Sequence, residues 1–435
     1  ERLVGSEMCI RDSFKHSAES ETVKLPMPDK VVISMAQHLG APCTPTVKVG
    51  DKVKIGDVIG SSEAAMSAPV HSSISGTVTA ITDVLHISGR NMQSVVIEND
   101  GLEQISDSVC PPTVENREQF LQAVRNSGSI GLGGAGFPTS LKLGFDPKEK
   151  QPDFLIINGA ECEPYITSDY RCFMEEGEDV LEGVLLMLKY LGIPKCVIGI
   201  EKNKPKAIEK MTRLCEKHDN ITVKPLKSSY PQGAEKTLIF STTGRVVKEG
   251  TLPIASGCIV VNSSTAAFIA QYIRTGMPLV KRRITVDGNI VKKPSNFIVP
   301  VGMSIGEIVY YAELSDKPDR IILGGPMMGA CAFDPDYPLS KTNNAVLMFA
   351  DSPVYEPSDC IRCGKCVKAC SMNLLPTELE HAFDMRDARQ LEKLKVNLCV
   401  NCGACSFVCP AKRNLAEKNQ LAKAFLRERS TRKGK

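Results

Sequence analysis

Eight of the 17 cysteines lie between residues 360 and 409 and form two motifs with the same internal spacing. The first motif is Cys360, Cys363, Cys366 and Cys370, and the second motif is Cys399, Cys402, Cys405 and Cys409. Three thiolates at these intervals can surround one iron–sulfur cubane, while the displaced fourth cysteine ligates the other cluster. We therefore expect one [4Fe–4S] cluster on Cys360, Cys363, Cys366 and Cys409, and a second on Cys399, Cys402, Cys405 and Cys370. The alternative is a pair of four-cysteine zinc sites, but these usually combine two C-x-x-C hooks.

A glycine-rich loop, G-L-G-G-A-G-F-P, occupies residues 131–138. Its glycines leave backbone N–H groups free to approach a phosphate or the edge of a flavin. They are Gly131, Gly133, Gly134 and Gly136. The G-x-G-x-x-G pattern follows a predicted helix rather than a strand, so it does not match the dinucleotide-binding fingerprint. A flexible glycine turn therefore remains an alternative.

Two polar segments follow predicted strands, where ligands of open parallel sheets bind. The first is N-G-A-E-C-E-P over residues 158–164, in which Glu161 and Glu163 could bind ribose hydroxyls or instead cap a helix. Cys162 between them is expected to be a packed small side chain. The second is V-V-N-S-S-T over residues 260–265, which precedes a predicted helix whose N-terminus would suit a phosphate.

Composition limits the function classes that these groups could serve. The chain has 435 residues, of which 42% are hydrophobic and 24% charged, and this excludes disorder of the whole chain. A net charge of +3, with no tryptophan and 5% aromatic residues, argues against nucleic-acid binding. No apolar run approaches the length of about 18 residues that a membrane span needs.

The hydrophobic pattern predicts a multidomain chain of α/β plus β architecture. Residues 1–24 are expected to be a disordered or non-native N-terminal segment. Helices are predicted over 115–126, 179–191 and 206–218, alternating with strands over 154–157, 196–200 and 221–223. This alternation is typical of a largely parallel sheet. The remaining predicted units are a β-rich half-barrel (25–99), the α/β domain (113–280), a β-rich module (281–350), the cysteine domain (353–422) and a basic tail (423–435).

The half-barrel resembles a biotinyl or lipoyl domain (a barrel-sandwich hybrid), with turns at Gly50-Asp51 and Gly56-Asp57. A carrier domain needs a lysine on its exposed hairpin, and none occurs between Lys54 and Lys142. We therefore expect a docking or structural module. The glycine-rich stretch 324–329 is expected to be a structural turn rather than a phosphate loop. The basic tail is expected to be a solvated, frayed end, with contact to anionic lipid as the alternative.

The segments 131–142 and 158–164 are similar to the flavin and NADH loops of the FMN-carrying subunit of respiratory complex I. Together with the 260–265 segment and the double cysteine motif, they resemble the RnfC family, the peripheral subunits of Rnf electron-transport complexes. The resemblance covers about residues 25–425, with four motifs in the same order. It implies a Rossmann-like FMN/NADH domain, a β-grasp module over 281–350 and a two-cluster ferredoxin domain.

The resemblance also implies roles for individual residues. The four loop glycines and Lys142 would line FMN, whereas a solvated lysine is the alternative for Lys142. Asn158 would lie near the isoalloxazine, and Asn262 and Thr265 near the phosphate. Phe137, Glu161 and Glu163 would approach NADH. The sequence departs from the complex I loop at Ala160, which replaces Asp, and at Cys162, which replaces Gly.

The function implied is electron transfer between NAD(H), FMN and two [4Fe–4S] clusters, with no catalytic side chain. In the resembled complex this links NAD to ferredoxin and drives ion pumping by integral-membrane and ferredoxin-like partner subunits. The chain would then lie on the cytoplasmic face of the inner membrane. One alternative is a soluble corrinoid reductase, but such reductases begin near the glycine loop and lack the front half-barrel. Another is an electron-wiring or docking subunit whose flavin site is vestigial.

Overall fold

The computed structural model describes residues 14–87, 89–351 and 355–433. The first eight strands in chain order are β1 (Val23–Lys24), β2 (Lys30–Ser34), β3 (Thr44–Pro45), β4 (Lys52–Val53), β5 (Val58–Ser61), β6 (Val70–His71), β7 (Gly76–Leu85) and β8 (Asn91–Asn99). The first unit contains two antiparallel sheets, ordered β2-β8-β7-β4 and β3-β5-β6, that enclose an apolar core with Val31, Ile33 and Ile59. This arrangement agrees with the predicted half-barrel.

The two predicted Gly-Asp turns form in the same way. Asp51 accepts a hydrogen bond from the backbone N–H of Lys48 (2.8 Å), and Asp57 accepts one from Lys54 (2.7 Å). The glycine before each aspartate has φ near +95°, a conformation that side chains with a Cβ rarely adopt. The repeated dipeptide therefore reverses the chain twice within a few residues.

The second unit is a four-stranded parallel sheet ordered β11-β10-β9-β12. Its strands are β9 (Phe154–Gly159), β10 (Lys195–Glu201), β11 (Ile221–Leu226) and β12 (Cys258–Asn262). The helices are α1 (Arg117–Asn126), α2 (Thr139–Leu143), α3 (Ser168–Leu191), α4 (Pro205–Cys215), α5 (Glu235–Thr243) and α6 (Ser263–Thr275), with a 3-10 turn at Pro253–Ser256. Leu155 and Ile157 pack into one apolar cluster and Ile156 into another, so β9 is buried on both faces, as expected of a parallel sheet.

Helix α3 begins eleven residues before the predicted start at residue 179. The carboxylate of Glu161 accepts the backbone N–H groups of Asp169 (2.6 Å) and Tyr170 (3.2 Å) and so caps the first turn. The helix is interrupted by non-helical backbone at Glu176, with φ −124°. The amphipathic pattern that predicted the helix therefore describes only the part beyond this kink.

The third unit is a six-stranded mixed sheet ordered β1-β14-β13-β17-β15-β16. Its remaining elements are β13 (Lys281–Asp287), β14 (Ser295–Pro300), α7 (Ile305–Ala312), β15 (Arg320–Leu323), β16 (Ala330–Ala332) and β17 (Ala345–Phe349). The prediction of disorder for residues 1–24 is wrong for residues 14–24. Val23 pairs with Phe297 in the parallel β1–β14 ladder, and Ser17 is fully buried. Residues 1–13 lie outside the described residues.

The cysteine-rich unit is helical. Its elements are α8 (Lys365–Ala369), α9 (Pro376–Asp384), α10 (Ala388–Lys393), a 3-10 turn at Val396–Leu398, α11 (Ala404–Phe407) and α12 (Leu415–Lys433). The prediction that residues 423–435 are a frayed tail is wrong as far as the structure describes them. Leu426 is buried, and the Lys423 ammonium donates to the carbonyl of Cys399 (2.8 Å). Within the three described ranges, no helix is both long and apolar enough to cross a membrane.

Candidate functional site

The polar segments predicted at strand ends meet at the carboxyl edge of the parallel sheet. Asn158 of β9 pairs in register with Asn262 of β12, so the two amides lie side by side. The side chain of Asn158 donates to the Gly233 carbonyl (3.0 Å) and accepts from the Ala160 N–H (3.2 Å). Asn262 caps α6 by accepting the N–H of Thr265 (3.3 Å). The structure therefore brings these three candidate residues to one edge.

The glycine loop closes on itself and is fastened to this edge. Gly131 donates its N–H to the Phe137 carbonyl (2.8 Å), and the Gly136 N–H reaches the Gly131 carbonyl (3.3 Å). The hydroxyl of Thr265 accepts the Leu132 N–H (3.0 Å) and so ties the loop to α6. Phe137 is half-buried.

The exposed part of the loop fits the edge of a planar cofactor. Gly133 and Gly134 are exposed, and a Cβ on Gly133 would come within 3.5 Å of the Asn262 amide. Gly134 has φ +110° and faces open space. A larger side chain at Gly133 would therefore crowd the Asn262 side chain at the sheet edge.

Two polar atoms, in residues that adjoin Gly233 and Asn262 in the chain, have no hydrogen-bond partner among the described residues. They are the amide nitrogen of Gln232, which is 4% exposed, and the hydroxyl of Ser263, which is fully buried. Ser263 is the first residue of α6, and a helix N-terminus attracts phosphate. Unpaired buried polar groups are costly, so both atoms are suited to a bound polar ligand. Together with the exposed glycines, they fit FMN.

The half-barrel also touches this loop, which the sequence did not indicate. The Leu39 N–H donates to the Gly136 carbonyl (2.8 Å). A Cβ on Gly136, whose φ is +62°, would lie 2.7 Å from the Thr342 methyl group and 3.7 Å from the His38 Cα. The glycine loop is thus supported by all three sheet units.

Lys142, in α2, is not a solvated lysine. Its ammonium donates to the Glu235 carboxylate (2.7 Å) and to the Val260 carbonyl (3.0 Å). These partners belong to α5 and β12. Lys142 therefore lies at the sheet, with its charge already partnered by a carboxylate.

Glu161 and Glu163 belong to one loop, but their carboxylates face different partners. Glu161 caps α3, which agrees with the alternative interpretation of this residue as a helix cap. Glu163 accepts the Met327 N–H (3.1 Å) from the 324–329 turn. Burial raises the pKa of each carboxyl to about 7, while the buried Lys15 nearby opposes part of this shift. Cys162 is packed between them, and burial raises the pKa of its thiol to about 12. The packed-side-chain prediction for Cys162 therefore agrees with the structure.

Lys15 is a residue of this site that sequence reasoning missed. Its buried ammonium donates to the carbonyls of Glu161 (3.1 Å), Glu163 (2.8 Å) and Ile166. Burial lowers the Lys15 pKa to about 8. Lys204 supports the same loop through the Ala160 carbonyl (2.9 Å). No local pattern predicts the Lys15 contacts, because they join residues about 150 positions apart.

The structure brings four of the eight motif cysteines together. One small cavity is lined by four thiols, from Cys370, Cys399, Cys402 and Cys405. Cys366 and Cys409 pack in one apolar cluster with Cys405, so this cluster contains cysteines of both motifs. Backbone N–H groups donate to the sulfurs of Cys360, Cys370 and Cys399 (each 3.4 Å). The thiols that line this cavity are available to an iron–sulfur cluster, and the assignment of ligands to two clusters stays a prediction.

The described thiols do not converge on one point. A tetrahedral zinc ion needs several ligands that converge on one point. Among the described residues, no three His, Cys, Asp or Glu side chains are placed to hold a single metal ion. A cubane is bound through a different iron atom at each thiolate, so its ligands need not converge in this way.

The second-motif loop lies directly against the acidic loop. The hydroxyl of Tyr230, in the loop after β11, donates to the Cys402 carbonyl (2.6 Å) and lies 3.5 Å from the Glu163 carboxylate. Met327 and Cys162 pack around the Tyr230 ring. The predicted flavin edge and the second-motif site are therefore neighbours, a contact that sequence reasoning missed.

Family models match three parts of the chain. They are the RnfC barrel sandwich hybrid domain at residues 10–102, the Nuo51 FMN-binding domain at 124–271 and a 4Fe-4S dicluster domain at 359–413. One subunit of the Na(+)-translocating ferredoxin:NAD(+) oxidoreductase complex of Acetobacterium woodii is 41% identical and is aligned over 81% of each chain. The chain belongs to the RnfC family.

Two other relatives agree with this RnfC assignment. The corresponding subunit of the proton-translocating ferredoxin:NAD(+) oxidoreductase complex of Clostridium ljungdahlii is 40% identical, over 89% of this chain and 85% of the relative. The corresponding subunit of the ion-translocating oxidoreductase complex of Rhodobacter capsulatus is 35% identical, over 97% of this chain and 83% of the relative. A crystal structure of an NAD+-reducing [NiFe]-hydrogenase in the H2-reduced state shares the fold, with a TM-score of 0.50 and 20% identity. That match covers 72% of this chain and 63% of the hydrogenase chain.

Proposed function

We propose that this RnfC-family chain is the NAD-linked electron-transfer subunit of a membrane-bound, ion-translocating ferredoxin:NAD+ oxidoreductase. It would pass electrons between NAD(H), FMN and two [4Fe–4S] clusters and on to partner subunits. The observation that supports this most directly is the contact between the acidic loop at the sheet edge and the second-motif loop through Tyr230. Few functions other than electron transfer would place a flavin-type edge against a cluster-type cysteine loop.

The residues at the sheet edge would bind FMN as follows. Gly133 and Gly134 leave the space for the ring, and Asn158 lies beside it. Asn262, Thr265 and the N-terminus of α6 would face the phosphate. FMN is the group that can exchange a hydride with nicotinamide and single electrons with iron–sulfur clusters. Lys142, held by Glu235, would offer an N–H donor to the flavin at this edge.

Phe137, Glu161 and Glu163 are proposed to contact NADH. The two carboxyls could accept hydrogen bonds from ribose hydroxyls, and their raised pKa values near 7 keep part of each population protonated at neutral pH. Lys15 and Lys204 hold the loop backbone through hydrogen bonds to its carbonyl groups. Nucleotide binding would then occur on a loop whose shape is already set by buried charges.

The two cluster sites differ in their exposure. The second motif contacts the acidic loop, whereas Cys360 and Cys363 of the first motif are exposed. This exposure supports the proposal that the first-motif site exchanges electrons with partner subunits. We propose that these are the integral-membrane and ferredoxin-like subunits of an Rnf complex, on the cytoplasmic face of the cell membrane. Membrane contact would occur through the partners, and residues 281–350 would form a β-grasp module.

A second function, electron wiring with a vestigial flavin site, is favoured by one observation. Both acidic side chains already have partners within the chain, and Ala160 and Cys162 replace residues of the complex I loop. The soluble corrinoid reductase is not favoured, because the chain has the front half-barrel.

Cofactor analysis after anaerobic purification distinguishes these functions. We expect FMN at about one per chain and about eight iron and eight sulfide. Iron without flavin would support the wiring function. Zinc in place of iron would contradict both.

A further inference from the structure

Tyr230 connects the two halves of the electron-transfer site. It is 7% exposed, and its hydroxyl donates to the Cys402 carbonyl at 2.6 Å. The same oxygen lies 3.5 Å from the Glu163 carboxylate. Its ring packs with Ala404 of the second motif and with Cys162 of the acidic loop. One side chain therefore contacts both loops.

The surrounding backbone approaches too closely to admit side chains. A Cβ on Gly325 would lie 2.2 Å from the Glu163 carboxylate, and a Cβ on Gly403 would lie 2.5 Å from the Met327 carbonyl. Two glycines thus let the 324–329 turn fit between the acidic loop and the cysteine loop. The contact is a packed junction rather than a gap filled by solvent.

The junction is continuous with the sheet edge. Gly233, three residues after Tyr230, donates its N–H to the Cys162 sulfur (3.4 Å), and its carbonyl accepts from the Asn158 amide (3.0 Å). The Tyr230 loop therefore touches the candidate flavin edge at one end and the Cys402 loop at the other.

We propose that Tyr230 is a positioning residue for electron transfer between the flavin site and the second-motif cluster. This inference rests on the proposed function. In the step concerned, one electron leaves the flavin site and one enters the cluster site, and no bond forms or breaks. The tyrosine keeps its proton, and its hydroxyl holds the Cys402 peptide against the acidic loop.

The hydroxyl also affects the cluster electrostatically. The positive end of its O–H dipole points at the Cys402 peptide, beside a cluster that gains negative charge on reduction. Charge and hydrogen bonding around a cluster set its reduction potential, and here the hydroxyl would act through the Cys402 peptide. Removal of the hydroxyl should therefore make the second-motif cluster harder to reduce and leave the first-motif cluster unchanged.

Tyr230→Phe tests this inference, because it removes only the hydroxyl. The matched control is Tyr310→Phe, on α7, where the side chain is 78% exposed. After rapid mixing with NADH, flavin reduction should be unchanged in Tyr230→Phe, while cluster reduction slows by about 2- to 10-fold, the factor of one hydrogen bond. FMN content, iron content and the KM for NADH should equal those of the control.

A redox titration followed by electron paramagnetic resonance gives the second readout. We expect a more negative midpoint potential for one of the two clusters in Tyr230→Phe and no shift in Tyr310→Phe. Unchanged potentials together with an unchanged rate of cluster reduction would overturn the inference. Loss of iron from Tyr230→Phe would also overturn it, because Tyr230 would then be needed to build the cluster site.

The titration uses dithionite as the reductant and does not depend on NADH. If wild-type flavin is not reduced by NADH, the proposed function fails. The potential shift in Tyr230→Phe would then decide the role of Tyr230 by itself. Failure of the inference and failure of the proposed function are therefore distinguishable.

Discussion

Glu161 and Glu163 show how individual side chains in this site serve both structure and chemistry. Both carboxyls are withdrawn from water, and burial raises each pKa from 4.5 to about 7. Their partners are mostly backbone N–H groups rather than cations. A nucleotide at this loop would therefore meet acids whose protonation changes near neutral pH.

The raised pKa of Glu163 predicts a pH-dependent contribution to stability. The folded state holds the proton more tightly than the unfolded state, so the contribution is complete below pH 4.5 and lost as the pH rises to about 7. Glu163→Gln removes this dependence. Relative to wild type, the variant should gain up to about 3 kcal/mol between these pH values. Unfolding midpoints measured across this range provide the check, with Glu209→Gln on an exposed residue as the control. Equal pH profiles for Glu163→Gln and wild type would contradict the prediction.

Gly133 gives a second prediction for a single residue. Its hypothetical Cβ has room beside Asn262, at 3.5 Å, so Gly133→Val should fold. The rest of the valine side chain would occupy the space beside Asn262 in which we place FMN. We expect the FMN-to-iron ratio to fall at least about tenfold, a loss of some 1.4 kcal/mol in binding, with iron content unchanged. Normal flavin content in this variant would show that the flavin binds elsewhere.

At the scale of secondary-structure elements, the loops of the site are shaped by segments far away in the chain. The N-terminal segment at residues 14–24 contributes Lys15 to the acidic loop and strand β1 to the mixed sheet. The half-barrel supports the glycine loop through the hydrogen bond from the Leu39 N–H to the Gly136 carbonyl. The α/β domain, if it were produced alone, would therefore lack these supporting contacts.

Lys15→Met tests the role of the N-terminal segment. The substitution leaves three carbonyl groups without their donor, and each charged hydrogen bond contributes about 1.5–3 kcal/mol. We expect a clearly lower unfolding temperature and faster hydrogen exchange over residues 158–166. Lys206→Met is the matched control, since Lys206 forms an exposed ion pair with Glu19 of the same segment. Such pairs contribute little in water. Equal effects of the two substitutions would show that Lys15 does not hold the loop.

Elements with a strong local pattern were predictable from the sequence, and long-range contacts were not. In the α/β unit, strands β9 to β11 and helices α1 and α4 were predicted to within three residues, the start of α3 was wrong, and α2 and α5 were not predicted. That start depends on a cap from Glu161 and on a kink at Glu176, neither of which alters the hydrophobic period. The basic tail was mistaken for a frayed end because its charges suggest solvent, whereas Lys423 reaches a carbonyl in the second motif. The candidate residues were found from their motifs, but Lys15 and Tyr230 have no motif to reveal them.

At the scale of the whole molecule, the sheet edge, the Tyr230 junction and the two cysteine motifs form a sequence of neighbouring sites. The second motif contacts the acidic loop, and Cys360 and Cys363 of the first motif are exposed. This order explains why one chain carries a flavin-type edge and two cluster sites. The clusters would extend the path from the nucleotide to the surface.

The exchange of fourth ligands gives a prediction at this scale. Cys409→Ser should damage the cluster on the first three cysteines of the first motif, and Cys370→Ser the cluster beside Tyr230. Each variant should lose up to about half of its iron. Only Cys370→Ser should block electron flow from the flavin while the other cluster can still be reduced by dithionite. Damage to the same cluster in both variants, seen by electron paramagnetic resonance, would contradict this assignment.

Anaerobic titration of the wild-type chain with NADH tests the central claim most directly. The flavin absorbance should bleach, and the cluster signals of the reduced state should follow, with no other protein present. Dithionite should give the same cluster signals, since it bypasses the nucleotide site. If flavin and clusters stay oxidised at millimolar NADH while dithionite reduces the clusters, the chain has no functional nucleotide site.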